Sequence, residues 1–189
     1  MPYFHASPTG GITQLEPRVS NHGTPLVYVS AKRAHVLPYL SNAVEKFCRE
    51  TAFPHTGPFY KWASYGFDQE GRLFLDEYWP DALRDTYAGV SGYIYTVKVA
   101  DALQPMSDIP DAFCAAQPLA VCKCEYIPDA LEAILAAEAA GDLAIRRFAA
   151  QSEGTLRWLA KCIPQEWESH AAHPEYRAFL QAKFPQLLR

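Results

Sequence analysis

Short β-rich runs alternate with turns over the first two-thirds of the chain and give way near residue 127 to helical spacing. Period two buries one face of a strand, and a period near 3.6 buries one stripe of a helix. Strands first and helices later predict an α+β fold rather than a doubly wound sheet. The expected division is a β-rich core over 1–127 and a helical extension over 128–189 packed on it.

Within the first part, short strands are expected at Tyr3 to Ala6, Leu26 to Val29, Phe59 to Phe67, Arg72 to Trp79, Gly92 to Val99 and Pro118 to Tyr126. Asp68-Gln69-Glu70-Gly71 suits a hairpin loop. Tyr93, Tyr95, Val97 and Val99 fall on one face of their strand. Ala31 to Arg49 reads as a helix whose start Pro38 disturbs. In the second part, Pro128-Asp129 opens a helix, Gly141 closes it, and Leu143 to Phe148 continue helically. Ser152 caps a third helix, expected to end at Pro164, and Pro174 begins the last.

The chain carries 17 basic and 21 acidic residues, a net charge of −4. Nucleic-acid binders usually show a basic surplus, so this balance gives no such signature. Neither a transmembrane run nor an export signal is expected from the sequence, and five cysteines then point to free thiols in a reducing, cytoplasmic setting. Glycine-rich phosphate loops are missing, which disfavours a Rossmann-type cofactor unit. Cys122 and Cys124 place two thiols on one strand face without two further zinc ligands, so no metal is expected. His22 and His55 sit in turn-like contexts, and His170 and His173 at a solvated helix end. Lys32-Arg33 are candidates for meeting phosphates.

Three segments carry groups suited to chemistry. Phe4-His5-Ala6-Ser7 puts an imidazole and a hydroxyl on a short strand. Val27-Tyr28-Val29-Ser30 shows a ring and a hydroxyl on one face and two valines on the other. Ile94-Tyr95-Thr96-Val97 is followed by a loop with Asp101, Asp108 and Asp111. Together with Leu15-Glu16-Pro17 and Pro118-Leu119-Ala120-Val121, and in this order, these pieces resemble the ADP-ribosyltransferase fold. The resemblance is to the small rifampicin ADP-ribosyltransferase type of the poly-ADP-ribose-polymerase-like superfamily, and it spans roughly residues 3–126.

The resemblance implies a split, mostly antiparallel β core with NAD as co-substrate. Transfer would go to an acceptor that is a small molecule, a protein or a nucleic acid. It implies His5, Ala6, Ser7, Tyr28 and Ser30 as NAD-contacting positions and His5, Tyr28 and Asp108 as the catalytic set. His5 would bond the ribose, the Ala6 backbone would hold the nicotinamide amide, and Tyr28 would stack on its ring. A carboxylate would steady the oxocarbenium-like transition state. Asp101, Glu77 and Glu125 are rivals of Asp108 for that role. His5 and Tyr28 are expected on neighbouring strands, facing one cleft. Ala6 stands where the family has glycine and Ser7 where it has threonine, and Phe59 to Trp79 and most of the tail have no counterpart in the smallest members. The same fold would also serve an NAD glycohydrolase, or a non-catalytic module that binds NAD, ADP-ribose or a protein.

Overall fold

The computed structural model describes residues 1–19, 23–98 and 103–188. The strands are β1 (Tyr3–Ser7), β2 (Gln14–Leu15), β3 (Arg18–Val19), β4 (Pro25–Ser30), β5 (Tyr65–Phe67), β6 (Leu73–Asp76), β7 (Gly92–Val97), β8 (Gln104–Pro105), β9 (Ala112–Ala115), β10 (Leu119–Ile127) and β11 (Leu143–Arg146). The helices are α1 (Ala43–Glu50), α2 (Ala82–Tyr87), α3 (Ala130–Ala140), α4 (Glu153–Ser169) and α5 (Pro174–Lys183), with a 3₁₀ segment at Arg33–Leu40. The fold class is α+β, as the change of period predicts.

The chain divides into two compact units, but not at residue 127. One unit takes residues 1–40, 66–74 and 89–144, and the other takes 41–65, 75–88 and 145–189. The expected 1–127 core and 128–189 extension are therefore replaced by interleaved units. The reason lies in packing that local pattern cannot show. Val44 and Cys48 of α1 share one buried cluster with Tyr176, Phe179 and Leu180 of α5, more than 120 residues later in the chain. Helix α3, expected in the extension, belongs to the first unit.

The first unit is built on an antiparallel sheet of eight strands in the order β2-β10-β7-β1-β4-β9-β8, with β3 paired to β4. Central β7 is buried at Ile94, Tyr95 and Val97, because neighbours cover both of its faces. Leu15, Val27, Val29, Tyr95, Val97, Ala115 and Leu119 form the core on one side of the sheet. Asp129 caps α3 by accepting the Glu132 N–H at 3.2 Å, and Gly141, at φ 84°, ends it in the left-handed conformation.

In the second unit, Trp79, Phe179 and Phe184 pack edge to face with ring centroids 5.5 and 5.6 Å apart. Ser152 accepts the Thr155 N–H at 3.0 Å and caps α4, as expected. A separate three-stranded sheet runs in the order β11-β6-β5.

Several expected elements differ. The Ala31 to Arg49 helix is a 3₁₀ segment followed by α1, whose cap is Asn42 accepting the Val44 N–H at 3.1 Å. Pro38 offers no N–H, and Asn42 starts the chain afresh. Leu143 to Arg146 is a strand, because four residues after a helix stop are too few for a stable helix and pairing in the sheet overrides propensity. Helix α4 runs through Pro164 to Ser169, anchored by Leu159 and Ile163, which are buried in the second core. Residues 59–64 are not strand. The Tyr60 carbonyl accepts from Asn42 Nδ2 at 3.0 Å and its N–H meets Glu175, so side chains satisfy this backbone where a partner strand was expected.

No helix among the described residues is long and apolar enough to cross a membrane. The five cysteines are all thiols.

Candidate functional site

Strands β1 and β4 are neighbours in the sheet, as the His5–Tyr28 expectation requires. Among the described residues their register is the one pair Phe4↔Ser30. On its other side β1 pairs with β7 along its whole length, from Tyr3↔Val97 to Ser7↔Tyr93. Beyond Phe4 and Ser30 the β1–β4 ladder stops, and there the His5 Nδ1–H donates to the Tyr28 carbonyl at 2.8 Å.

Burial pushes the His5 imidazole below its ordinary value, against the hydrogen bond to Tyr28, and the Arg18 charge adds to the lowering. The ring is therefore neutral near pH 7. Since Nδ1 carries the donated proton, Nε2 keeps a lone pair. Nε2 has no partner among the described residues. The result is a half-buried acceptor whose tautomer the Tyr28 carbonyl fixes.

The two side chains do not share a face, and this corrects the expectation that they line one wall. Phe4 and Ser30 are paired and lie on one side of the sheet. Alternation puts Tyr28 with them and His5 on the opposite side, beside Tyr95 and Val29. His5 meets Tyr28 ring to carbonyl instead.

The other expected contact residues are placed as follows. Ala6 is buried. The Ser7 hydroxyl accepts the Thr9 N–H at 3.1 Å and shapes the turn after β1. Ser30 is buried, and its hydroxyl donates to the Asp111 carbonyl and accepts the Lys32 N–H, both at 3.1 Å. Those bonds tie the end of β4 to the loop before β9.

Among the acids, Asp101 lies outside the described residues. Asp108 is exposed between β8 and β9 and accepts from Ser107 Oγ at 2.8 Å; no contact joins it to His5 or Tyr28. Glu77 belongs to the second unit and is buried. Its two oxygens accept the Leu83 N–H at 3.1 Å and the Phe148 N–H at 3.2 Å, which makes it a structural cap. Glu125 on β10 is half exposed and held by two bonds from Arg33, at 2.7 and 3.1 Å. Those bonds hold its carboxyl below the usual range. Through Glu125↔Ile94 and Ala6↔Ile94 it lies in the same row of the sheet as Ala6, two strands away.

Lys32 and Arg33 are in ion pairs with Asp111 and Glu125. A register shift between Val121 and Lys123 breaks the alternation that would put Cys122 and Cys124 on one face. His22 lies outside the described residues. His55 stands 3.6 Å from the buried Glu175, and His170, expected at a solvated helix end, bonds Tyr60 Oη at 2.7 Å instead.

Sequence reasoning missed Tyr95 as a positioning group. Its buried hydroxyl donates to the Thr9 carbonyl at 2.7 Å and accepts the Ile12 N–H at 3.3 Å, pinning the loop that follows β1. Pro8-Thr9-Gly10-Gly11 is a run of turn formers, but nothing local links that loop to a residue more than 80 positions away. No protein-family model, curated protein or solved structure matches the chain.

Proposed function

We propose that this chain binds NAD where β1 and β4 part and transfers ADP-ribose from it to an acceptor. The observation that supports the reading is the His5–Tyr28 bond at that parting. It leaves a neutral imidazole with a lone pair on Nε2, the form that accepts a ribose hydroxyl. Ala6 follows on the same strand, and its backbone N–H and C=O are the complement of a carboxamide.

In the reaction, the bond between C1′ of the ribose and the nicotinamide nitrogen breaks, and its electron pair leaves with nicotinamide. The acceptor then adds to C1′ and loses its proton. A carboxylate near the developing cation lowers the barrier. Glu125, ionised and in the Ala6 row, is a rival of Asp108 for this part once Arg33 is drawn away.

A second reading, a binding module without turnover, draws on the state of the acids: Glu125 is neutralised by Arg33 and Asp108 faces solvent. NAD labelled in the nicotinamide ring separates the two. Transfer predicts labelled nicotinamide release that rises with a competent acceptor and is lost in His5→Ala. Release into water alone would make the chain an NAD glycohydrolase. Saturable NAD binding without release, unchanged by Glu125→Gln and Asp108→Asn, would favour the module. Absence of NAD binding in a calorimetric titration would remove every NAD reading.

A further inference from the structure

The second unit carries a recess of about 300 Å³ whose walls come from β6, β11 and the start of α4. At its base, Asp76 is 3% exposed. Its carboxylate accepts from Arg146 Nε and Nη2, from Gln151 Nε2 at 3.0 Å and from Tyr78 Oη at 3.1 Å. The carboxylate is thus fully used in holding its neighbours. Arg146, half exposed, is the group this network presents to solvent, with its guanidinium plane fixed by two bonds to one buried partner.

Beside Arg146 stand two rings. Trp158 is 48% exposed, uncommon for an indole on a helix that has an apolar side to bury. Tyr78 lies 5.5 Å from it, centroid to centroid, at 55°. Gly154, in the first turn of α4, also lines the recess. Glycine weakens a helix, and packing does not demand it here: a Cβ at 154 would meet only Ser152 Oγ, at an ordinary 3.5 Å.

We propose that this recess binds a small ligand made of a planar ring and an anionic group, of the class of a nucleoside monophosphate. The ring rests on Trp158 and Tyr78 over Gly154, and the anionic group meets the guanidinium of Arg146. Rigid presentation of a guanidinium suits a phosphate or carboxylate, whereas a freely moving lysine would bind it with greater loss of freedom. The site lies wholly within the second unit and stands apart from the NAD reading.

The test is calorimetric titration of the full-length chain with AMP, with adenosine and inorganic phosphate as separate probes of the two halves. Saturable AMP binding is expected, with each half-probe weaker by about tenfold or more. Trp158→Ala, a change at a half-exposed position, should weaken AMP about tenfold or more while the thermal transition stays cooperative, as loss of a stacking face does. Gly154→Ala should weaken AMP while leaving the helix as stable or more so. His5→Ala should leave AMP binding unchanged. No saturation at millimolar AMP would overturn the proposal, as would adenosine binding as tightly as AMP. So would AMP affinity that survives both Trp158→Ala and Gly154→Ala, or that is lost in His5→Ala.

Discussion

Glu77 accepts a backbone N–H on each carboxylate oxygen, and both donors belong to segments that would otherwise end without partners. Removing it leaves two amides without acceptors, one buried and one partly buried. Glu77→Ala is expected to cost about 2–4 kcal/mol, read as a drop in the urea midpoint, from a penalty of about 1–3 kcal/mol for each group left unmade. A role in catalysis would instead show lost turnover at full stability. His35 sits at the opposite extreme. It is 4% exposed, packs its ring 5.1 Å from that of Phe67, and makes no side-chain hydrogen bond of ordinary geometry. Burial first, and the Lys32 charge second, hold its pKa below 6.5, against smaller opposing effects of Asp111 and the Pro110 carbonyl. His5 is lowered from 6.5 as well. Both rings are neutral in the folded chain and gain protons more readily when it unfolds. The unfolded state therefore binds more protons as pH falls below 6.5, and stability present above that value is lost on the acid side. Urea midpoints taken from about pH 7.5 to about pH 5 should fall, and fall less in His35→Phe, which removes one of the two groups. An unchanged slope in that variant would show that His35 takes no part.

Among the elements, the loop after β1 rests on a close approach. A Cβ on Gly10 would come within 2.7–2.9 Å of the Tyr93 ring, itself packed against Tyr95 and Tyr126. Gly10→Ala should destabilise, and Tyr93→Ala in the same chain should relieve part of the loss. A double-mutant cycle is expected to give a coupling of about 1–2 kcal/mol, and strict additivity would mean that the loop moves aside freely. Elements whose signals are local were legible in advance: β4 from its alternating valines, α3 from Asp129 and Gly141, α4 from Ser152. Those that depend on distant partners were not. Leu143 to Arg146 has the composition of a helix and becomes a strand only because β6 is there to pair with it. In the candidate site, the neighbouring positions of β1 and β4 could be read. The register that sends His5 and Tyr28 to opposite sides could not, since one residue of slip reverses every side chain. Nor could the ion pair of Arg33 with Glu125, 92 positions apart.

For the whole molecule, the interleaved units bear on what a fragment can do. A chain cut after residue 127 keeps α1 and α2 but loses α4 and α5, with Leu159, Ile163, Tyr176, Phe179 and Phe184 from the second core. Large buried side chains contribute roughly 1.5–3 kcal/mol each. The 1–127 fragment is expected to aggregate or to unfold without a cooperative transition, followed by circular dichroism during heating. A monomeric fragment with a sharp transition would show instead that residues 41–88 find another core.

The alternation of the two units along the chain also sets a timetable for synthesis. The first unit needs residues up to 144, and the second needs α5, which ends at Lys183. When α1 emerges from the ribosome, the helix that will cover its apolar face is more than 120 codons away. At about 5–20 residues per second, that segment waits several seconds or more with Val44 and Cys48 uncovered. The nascent chain is thus a natural client for a holding chaperone, and a ribosome stalled late in the message would release a product with one unit complete and the other unable to form.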